Sequence, residues 1–302
     1  ERYPKVTIII PTYNQKGFLK EAIEGCLKQD YPNLEIIVGD DCSTDGTHLM
    51  MKKYKRYPQI KYIRNSKNLG AGNNSQYLLE NHATGKYGMI LNHDDYLIKE
   101  DYITKAVNLL LENPGLSFVW ANCLINDENS GKQSPTNYKI PNIVKGIDYF
   151  KYYETEKYPH ITGTLTTVFD LEKLKKTNFG QEKTKIRDTF LYLNLMLVGD
   201  VGFIDENVAV YRVHKQSISN NLPKEFDLST IREFEKMKSY VLEQKIASVK
   251  EMEMWINRRV FAFILWRFRV LWSNNEKKYA LKLLNETAKD YPIVYEHVLN
   301  NI

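Results

Sequence analysis

Residues 6–47 read VTIIIPTYNQKGFLKEAIEGCLKQDYPNLEIIVGDDCSTDGT, and they set the architecture. "KVTIII" (5–10) and "LEIIVG" (34–39) are short apolar runs rich in β-branched residues, which read as strands buried on both faces. Between them, 17–29 has helical spacing. Ser43, Thr44 and Asp45 are good helix-capping residues and open a second helical stretch at 45–56. The alternation continues with "IKYIR" (60–64), a helix at 72–82, "YGMIL" (87–91), a helix at 101–112 and "LSFVWAN" (116–122). Strand and helix alternating every ~25–30 residues imply right-handed βαβ units and a mostly parallel α/β sheet.

In such sheets ligands bind beyond the carboxyl ends of the strands. The residues at those ends are "PTYN", "DDCSTDGT", "NSKNLG" and "NHDD", four polar loops that meet along one edge and predict one site. "YGMILNHDDY" (87–96) sets a problem there, since Asp94 and Asp95 are adjacent at the mouth of a buried strand. Either they lie in a solvated turn, or a cation offsets their charge. Acidic loops after both strand two and strand four suggest one nucleotide and one metal.

Bulk properties narrow the classes. The chain has 302 residues, 43% hydrophobic and 26% charged, enough for one large or two coupled globular domains. No run approaches the ~18 apolar residues of a membrane-spanning helix. Glu1 and Arg2 lead straight into a strand, with neither initiator Met nor signal-peptide pattern, so the start reads as trimmed. Cys26, Cys42 and Cys123 are widely spaced and odd in number, which points to reduced thiols and a cytoplasmic setting. A net charge of +5 permits an anionic substrate or lipid surface and falls short of a nucleic-acid footprint.

Farther on, 126–145 is polar and is expected as an irregular surface excursion. Residues 161–169 ("ITGTLTTVF") look strand-like, 186–198 helical, and 202–212 one or two short strands ending in "YRVH". Beyond Pro223 come helical patterns at 225–245, 247–272 and 276–299, so a boundary is expected near 220.

The ordered set "PTYN", "QDYPNLEIIVGDDCSTDGT", "NLG", the Asp-x-Asp-like "NHDD", a lone Asp188 before a helix and "YRVHKQSIS" resembles glycosyltransferase family 2, the inverting enzymes with a GT-A fold that build bacterial surface polysaccharides such as capsule and wall polymers. The resemblance spans about residues 5–220. It implies a GT-A catalytic domain over 1–220, with a nucleotide-binding half (1–125) and an acceptor half (126–220), followed by a C-terminal helical region (221–302). Its implied activity is metal-dependent transfer from a UDP-sugar to a hydroxyl of a glycan, lipid-linked sugar or polyol phosphate.

Carried over residue by residue, the resemblance puts Pro11, Thr12 and Tyr13 around the uracil, with Tyr13 stacking and Asp41 accepting its N3–H. Asn68 and Gly70 line the next loop. Where the family begins Asp-x-Asp, this chain has Asn92, which can still bond ribose hydroxyls. Asp94 matches the carboxylate that carries Mg²⁺ or Mn²⁺, and His214 matches a second metal ligand. Asp95 is either part of that acidic pair or a solvated helix-entry residue. Asp188 is implied as the base that takes the acceptor hydroxyl's proton. Arg187 replaces the family's Glu and either pairs with an acceptor anion or forms a surface salt bridge. Relatives have an Arg-Asn pair where this chain has Ser75 and Gln76.

Thr162, Gly163 and Thr164 are expected to line a sugar groove. Trp120 is expected in the core, with stacking on a sugar as its alternative, and His160 is read as structural. "WINRRVFAFILWRFRVLW" (255–272), with Arg258, Arg259, Arg267 and Arg269 beside an apolar face, either packs internally or against a second subunit, or lies at an anionic membrane surface.

Three rival readings remain. A nucleotidyltransferase would need a Gly-rich, cationic triphosphate loop, which "PTYNQKG" lacks. Asn92 and Arg187, both departures from the acidic pattern, suit a nucleotide-sugar-binding member with lost or weak turnover. A pure scaffold gives no reason to gather carboxylates at four strand ends.

Overall fold

The computed structural model describes residues 2–182, 184, 186–215 and 223–301. β1 (Val6–Thr12), α1 (Lys16–Leu27), β2 (Leu34–Asp40), α2 (Thr47–Met51) with a following 3₁₀ turn (Lys52–Arg56), β3 (Ile60–Arg64), α3 (Ala71–Asn81), β4 (Tyr87–Ile90), β5 (Tyr96–Leu97) and α4 (Tyr102–Glu112) come first. They are followed by β6 (Leu116–Asp127), β7 (Lys132–Pro135), β8 (Ile143–Val144), α5 (Gly146–Tyr152), β9 (Val168–Asp170), α6 (Leu171–Lys175), α7 (Arg187–Met196) and β10 (Asp200–Val213). Helices α8 (Glu225–Glu243), α9 (Val249–Ser273), α10 (Lys277–Ala288) and α11 (Pro292–Leu299) complete the chain.

The described residues form two compact units, one of 2–181 with 187–215 and one of 182, 184 and 186 with 223–301. The boundary expected near 220 lies outside the described residues. In the first unit one mixed α/β sheet runs β3-β2-β1-β4-β9-β6-β10-β5, with β7 on β6 and β8 on β10. Parallel pairs join β3 with β2, β2 with β1, β1 with β4, and β6 with β10. Antiparallel pairing comes from the short strands β5, β7, β8 and β9. Every residue of β1 is buried, as a central parallel strand covered by helices on both faces requires. On α1, buried Leu19, Ala22, Ile23 and Cys26 fall at helical spacing and face the sheet core.

Three expectations change. The polar 126–145 stretch is not wholly irregular, because β6 runs on to Asp127 and turns into β7. The Asp127 carboxylate accepts from the Asn129 amide at 2.9 Å and from the Ser130 hydroxyl at 2.6 Å, and Gly131 takes φ +68°. Residues 161–167 are not a strand. Gly163 adopts φ +60°, and only Val168–Asp170 pairs with the sheet, so β-propensity of the threonines yields to the turn. The 276–299 pattern is two helices, α11 starting with Pro292 at its first position, where the missing N–H costs nothing.

In the second unit α9 starts in a capping box between Ser248 and Glu251. Trp255, Ile256, Val260, Ile264 and Leu271 are buried, and so are Arg259 and Arg267. Arg267 Nε donates to Asp227 Oδ1 at 2.6 Å, both residues being buried. Two of the four arginines expected beside the apolar face are therefore inside. Among the described residues no helix is long and apolar enough to cross a membrane.

Candidate active site

The order β3-β2-β1-β4 puts the chain's topological switch between β1 and β4, and ligands bind in the crevice at such points. The loops there are stitched together. Asn14, at φ +51°, donates its amide to Ser43 Oγ at 3.0 Å and accepts from the Thr44 amide through Oδ1 at 2.7 Å. Asp40 is fully buried and structural, with its Oδ1 accepting from the Ser43 amide at 2.8 Å.

Asp41 is buried too, but it reaches sideways to the third loop. Its Oδ1 accepts from Asn65 Nδ2 (2.9 Å) and the Leu69 amide (2.8 Å), and its Oδ2 from the Gly70 amide (2.8 Å). A carboxylate has about four acceptor positions. Three are used here, so one remains on Oδ2. Gly70 sits at φ +83°, the region that favours glycine, and Asn68 Oδ1 also accepts from its amide at 2.8 Å. Beside them, Tyr13 is 44% exposed, with its ring open to solvent. Thr12 is buried, and its hydroxyl has no hydrogen-bond partner among the described residues. Such an orphan costs free energy unless a ligand meets it. Pro11 contributes its carbonyl, 3.1 Å from His93 Nδ1.

After β4, Asn92 is partly exposed, and its carbonyl accepts from the Asp95 amide at 3.1 Å. His93 is held toward the neutral form mainly by desolvation. Asp94 Oδ2 lies 3.0 Å from His214 Nε2. β10 carries His214 there past three register shifts in its pairing with β6, irregularities that re-aim a strand end. Asp95 is not a solvated helix-entry residue, since it is 1% exposed and accepts the Arg212 amide at 3.0 Å. Burial, then repulsion from Asp94, pushes its carboxyl well above the usual range, against Arg212. The Arg212 side chain covers this end by packing over Phe18 and Tyr96 and pairing with Glu21 and Glu128.

Among the described residues no three His, Cys, Asp or Glu side chains converge as a metal cluster. The Asp94–His214 pair nonetheless fits a divalent cation in part. One carboxylate oxygen and one imidazole nitrogen suit Mn²⁺ or Mg²⁺ when diphosphate oxygens and water fill the other positions.

Asp188 lies in the first turn of α7. It is exposed, and desolvation raises its carboxyl above the ordinary range. The Thr189 amide, at 2.8 Å, and the proximity of His160 act in the opposite sense. His160, read as structural from sequence, is therefore a neighbour of Asp188. Its ring meets Tyr138 edge-on at 5.8 Å, and its Nε2 is 3.4 Å from Thr162 Oγ1. No local sequence signal marks it, because the β6–β7 hairpin brings Tyr138 to it.

Trp120 is 1% exposed and packs against Phe203, Tyr138 and Tyr149, so it has no free face for a sugar. Thr164 is also buried, and its hydroxyl has no hydrogen-bond partner among the described residues. Both belong to the interior and not to an open groove. Arg187 donates from its guanidinium to the Gly72 carbonyl, Gln76 Oε1 and Asn73 Oδ1 of α3.

Residues 7–174 match the model of the family described as Glycosyl transferase family 2. The chain belongs to that family. A glycosyl transferase family 2 chain is an enzyme of sugar transfer, and its relatives carry such names. WfaP of Escherichia coli, named as a UDP-Glc:alpha-D-GlcNAc-diphosphoundecaprenol beta-1,3-glucosyltransferase, is 30% identical over 226 residues, covering 73% of this chain and 82% of its own. The structure of Staphylococcus aureus TarS 1-349 with UDP-GlcNAc superposes with a TM-score of 0.68 at 18% identity, over 97% of this chain and 83% of that one. The mannosyltransferase PcManGT of Pyrobaculum calidifontis with GDP-Man and Mn²⁺ gives a TM-score of 0.56 at 18% identity, over 99% and 79%. These two likenesses support the GT-A fold.

Proposed function

We propose that the chain is a metal-dependent, inverting transferase that moves a sugar from a UDP-sugar to a hydroxyl of a glycan, lipid-linked sugar or polyol-phosphate acceptor in surface-polysaccharide synthesis. The observation that carries the reading is Asp188, an exposed carboxylate whose neighbour Arg187 is bonded to α3, the helix that follows the Asp41-bound loop of Leu69 and Gly70. In this reading residues 1–125 hold the donor, 126–220 the acceptor, and 221–302 form an accessory helical region.

Tyr13 stacks on the uracil and the Thr12 hydroxyl and Pro11 segment flank it, while the free position on Asp41 Oδ2 accepts N3–H. Asn68 and Gly70 shape the adjoining wall, and Asn92 bonds the ribose. Asp94 and His214 would hold Mn²⁺ or Mg²⁺, which supplies Lewis-acid neutralisation of the diphosphate. Asp188 removes the acceptor hydroxyl's proton as its oxygen bonds to the anomeric carbon. The bond from that carbon to the diphosphate oxygen breaks, and UDP leaves with the electron pair.

The UDP preference is supported by the names of WfaP and of the TarS complex. A lipid-linked acceptor, as in the name of WfaP, would place the reaction at the cytoplasmic face of a membrane. Exposed Trp272, Ile293 and Leu299 of the helical unit are the candidate contacts there or with a second copy. Calorimetric titration with UDP and with GDP, each in Mn²⁺ and in EDTA, tests the reading. Selective, metal-dependent UDP binding supports it. Binding without transfer of any UDP-sugar would favour a nucleotide-sugar-binding member without turnover.

A further inference from the structure

Arg187, the first residue of α7, lies along the first turn of α3. Its Nη1 donates to the Gly72 carbonyl at 2.9 Å and to Gln76 Oε1 at 3.0 Å, and its Nη2 donates to Asn73 Oδ1 at 2.9 Å. The Gln76 amide is turned to suit, because its Nε2 donates to Glu80 Oε1 at 2.8 Å and leaves Oε1 as acceptor. A Cβ on Gly72 would stand 2.9 Å from both Cδ and Nε of Arg187. Glycine at 72 therefore lets the arginine lie flat on the helix.

The same turn is tied at its other end to the nucleoside loop. Leu69 and Gly70 give their amides to Asp41, and Asn73 Nδ2 donates to the Leu69 carbonyl at 2.9 Å. A planar fork of charged donors fixes direction as well as distance, which a lysine cannot do. The residue after Arg187 is Asp188, so the chain of bonds runs Asp41, Gly70, α3, Arg187, Asp188.

The geometry points to Arg187 as a positioning residue that couples the order of the nucleoside loop to the placement of the Asp188 carboxylate. This rests on the reading of Asp188 as base. Arg187 touches no reacting atom in this account. It holds the turn that carries the base, and a misplacement of ~1 Å at a reacting group costs about 10²-fold in rate.

Two measurements test it. In nucleotide-free protein, Arg187→Ala should speed amide hydrogen exchange in both 71–76 and 188–192, leaving the β1–β2 core unchanged. Faster exchange in one segment only, or in neither, overturns the coupling. This arm needs no substrate, so it stands or falls apart from the UDP-sugar reading, whose own failure would show as no UDP binding by wild type. With the UDP-sugar that supports transfer, Arg187→Ala should lower kcat about 10–100-fold with donor KM within about twofold. Arg187→Lys should recover part of kcat, and Gly72→Ala should reproduce the loss with the guanidinium still present. A raised donor KM at unchanged kcat, or no recovery by lysine together with a silent Gly72→Ala, overturns the positioning role.

Discussion

Asp94 and Asp95 are neighbours in sequence and are held by different partners. Asp94 Oδ2 meets His214 Nε2 at 3.0 Å, whereas Asp95 is buried and accepts the backbone amide of Arg212 at 3.0 Å. The repulsion implied by two adjacent carboxylates is eased by pushing Asp95 toward the neutral acid. Asp94 then faces the site, and Asp95 fixes the strand that brings His214 to it.

If Asp94 and His214 hold the cation, Asp94→Ala and His214→Ala should each weaken UDP binding in Mn²⁺ by on the order of tenfold, about 1.4 kcal/mol. Affinity in EDTA should not change. Calorimetry in the two buffers reads this directly, and an unaltered Mn²⁺ affinity would remove the pair as ligands.

Asp188→Asn should keep UDP affinity within about twofold and lower transfer by about 10²–10⁴-fold, the usual contribution of a general base. Its pH dependence has a definite sign. A base works when deprotonated, and desolvation raises this carboxyl. Activity should therefore fall as pH drops, with the acid limb of kcat/KM above the ordinary carboxylate value of ~3.9. An acid limb at or below that value would contradict the raised basicity.

Asp41→Ala removes the acceptor of three donors at the nucleoside loop. With the Leu69 and Gly70 amides left unpaired, destabilisation of about 2–3 kcal/mol is expected, together with loss of UDP binding. Chemical denaturation and calorimetry on the same sample separate the two effects. Full stability with lost binding would show that the loop does not depend on Asp41.

Trp120→Phe should leave transfer near wild type, while Trp120→Ala should cost about 3–5 kcal/mol of stability. The contrast distinguishes a core ring from a sugar platform. A large rise in acceptor KM for Trp120→Phe at unchanged stability would restore the platform role.

In the helical unit, Asp227→Ala removes the carboxylate that meets Arg267 Nε in a buried pair, at an expected cost of about 3–5 kcal/mol. Replacing both residues with apolar ones of similar volume should recover much of it. Thermal unfolding of the single and double variants makes the comparison.

The parallel half of the sheet was legible because a buried strand and an amphipathic helix have different periods, and 6–47 alternates between them without ambiguity. The placement of Pro11, Asp41, Asp94 and Asp188 at strand and helix ends was legible because ordered motifs tie them there. What was not legible depended on pairing partners. β9 is three residues long and becomes a strand only between β4 and β6. Gly163 turns a threonine-rich run away from the sheet. Nothing near His160 points to Asp188, and nothing in "NHDD" says which carboxylate turns inward, because Arg212 decides that from 117 residues away.

The insertion of β9 between β4 and β6 also orders events on the ribosome. β1 to β4 can assemble once residue 90 has emerged, and with them the Asp41 and Gly70 loops at one end of the sheet. Val168–Asp170, which cover the free edge of β4, follow some 80 residues later, several seconds at about 5–20 residues per second. For that interval the nascent chain displays the candidate nucleoside loops beside an open strand edge, the kind of surface that pairs with other chains. Nucleotide captured at that stage would hold together the half that is waiting for its neighbour.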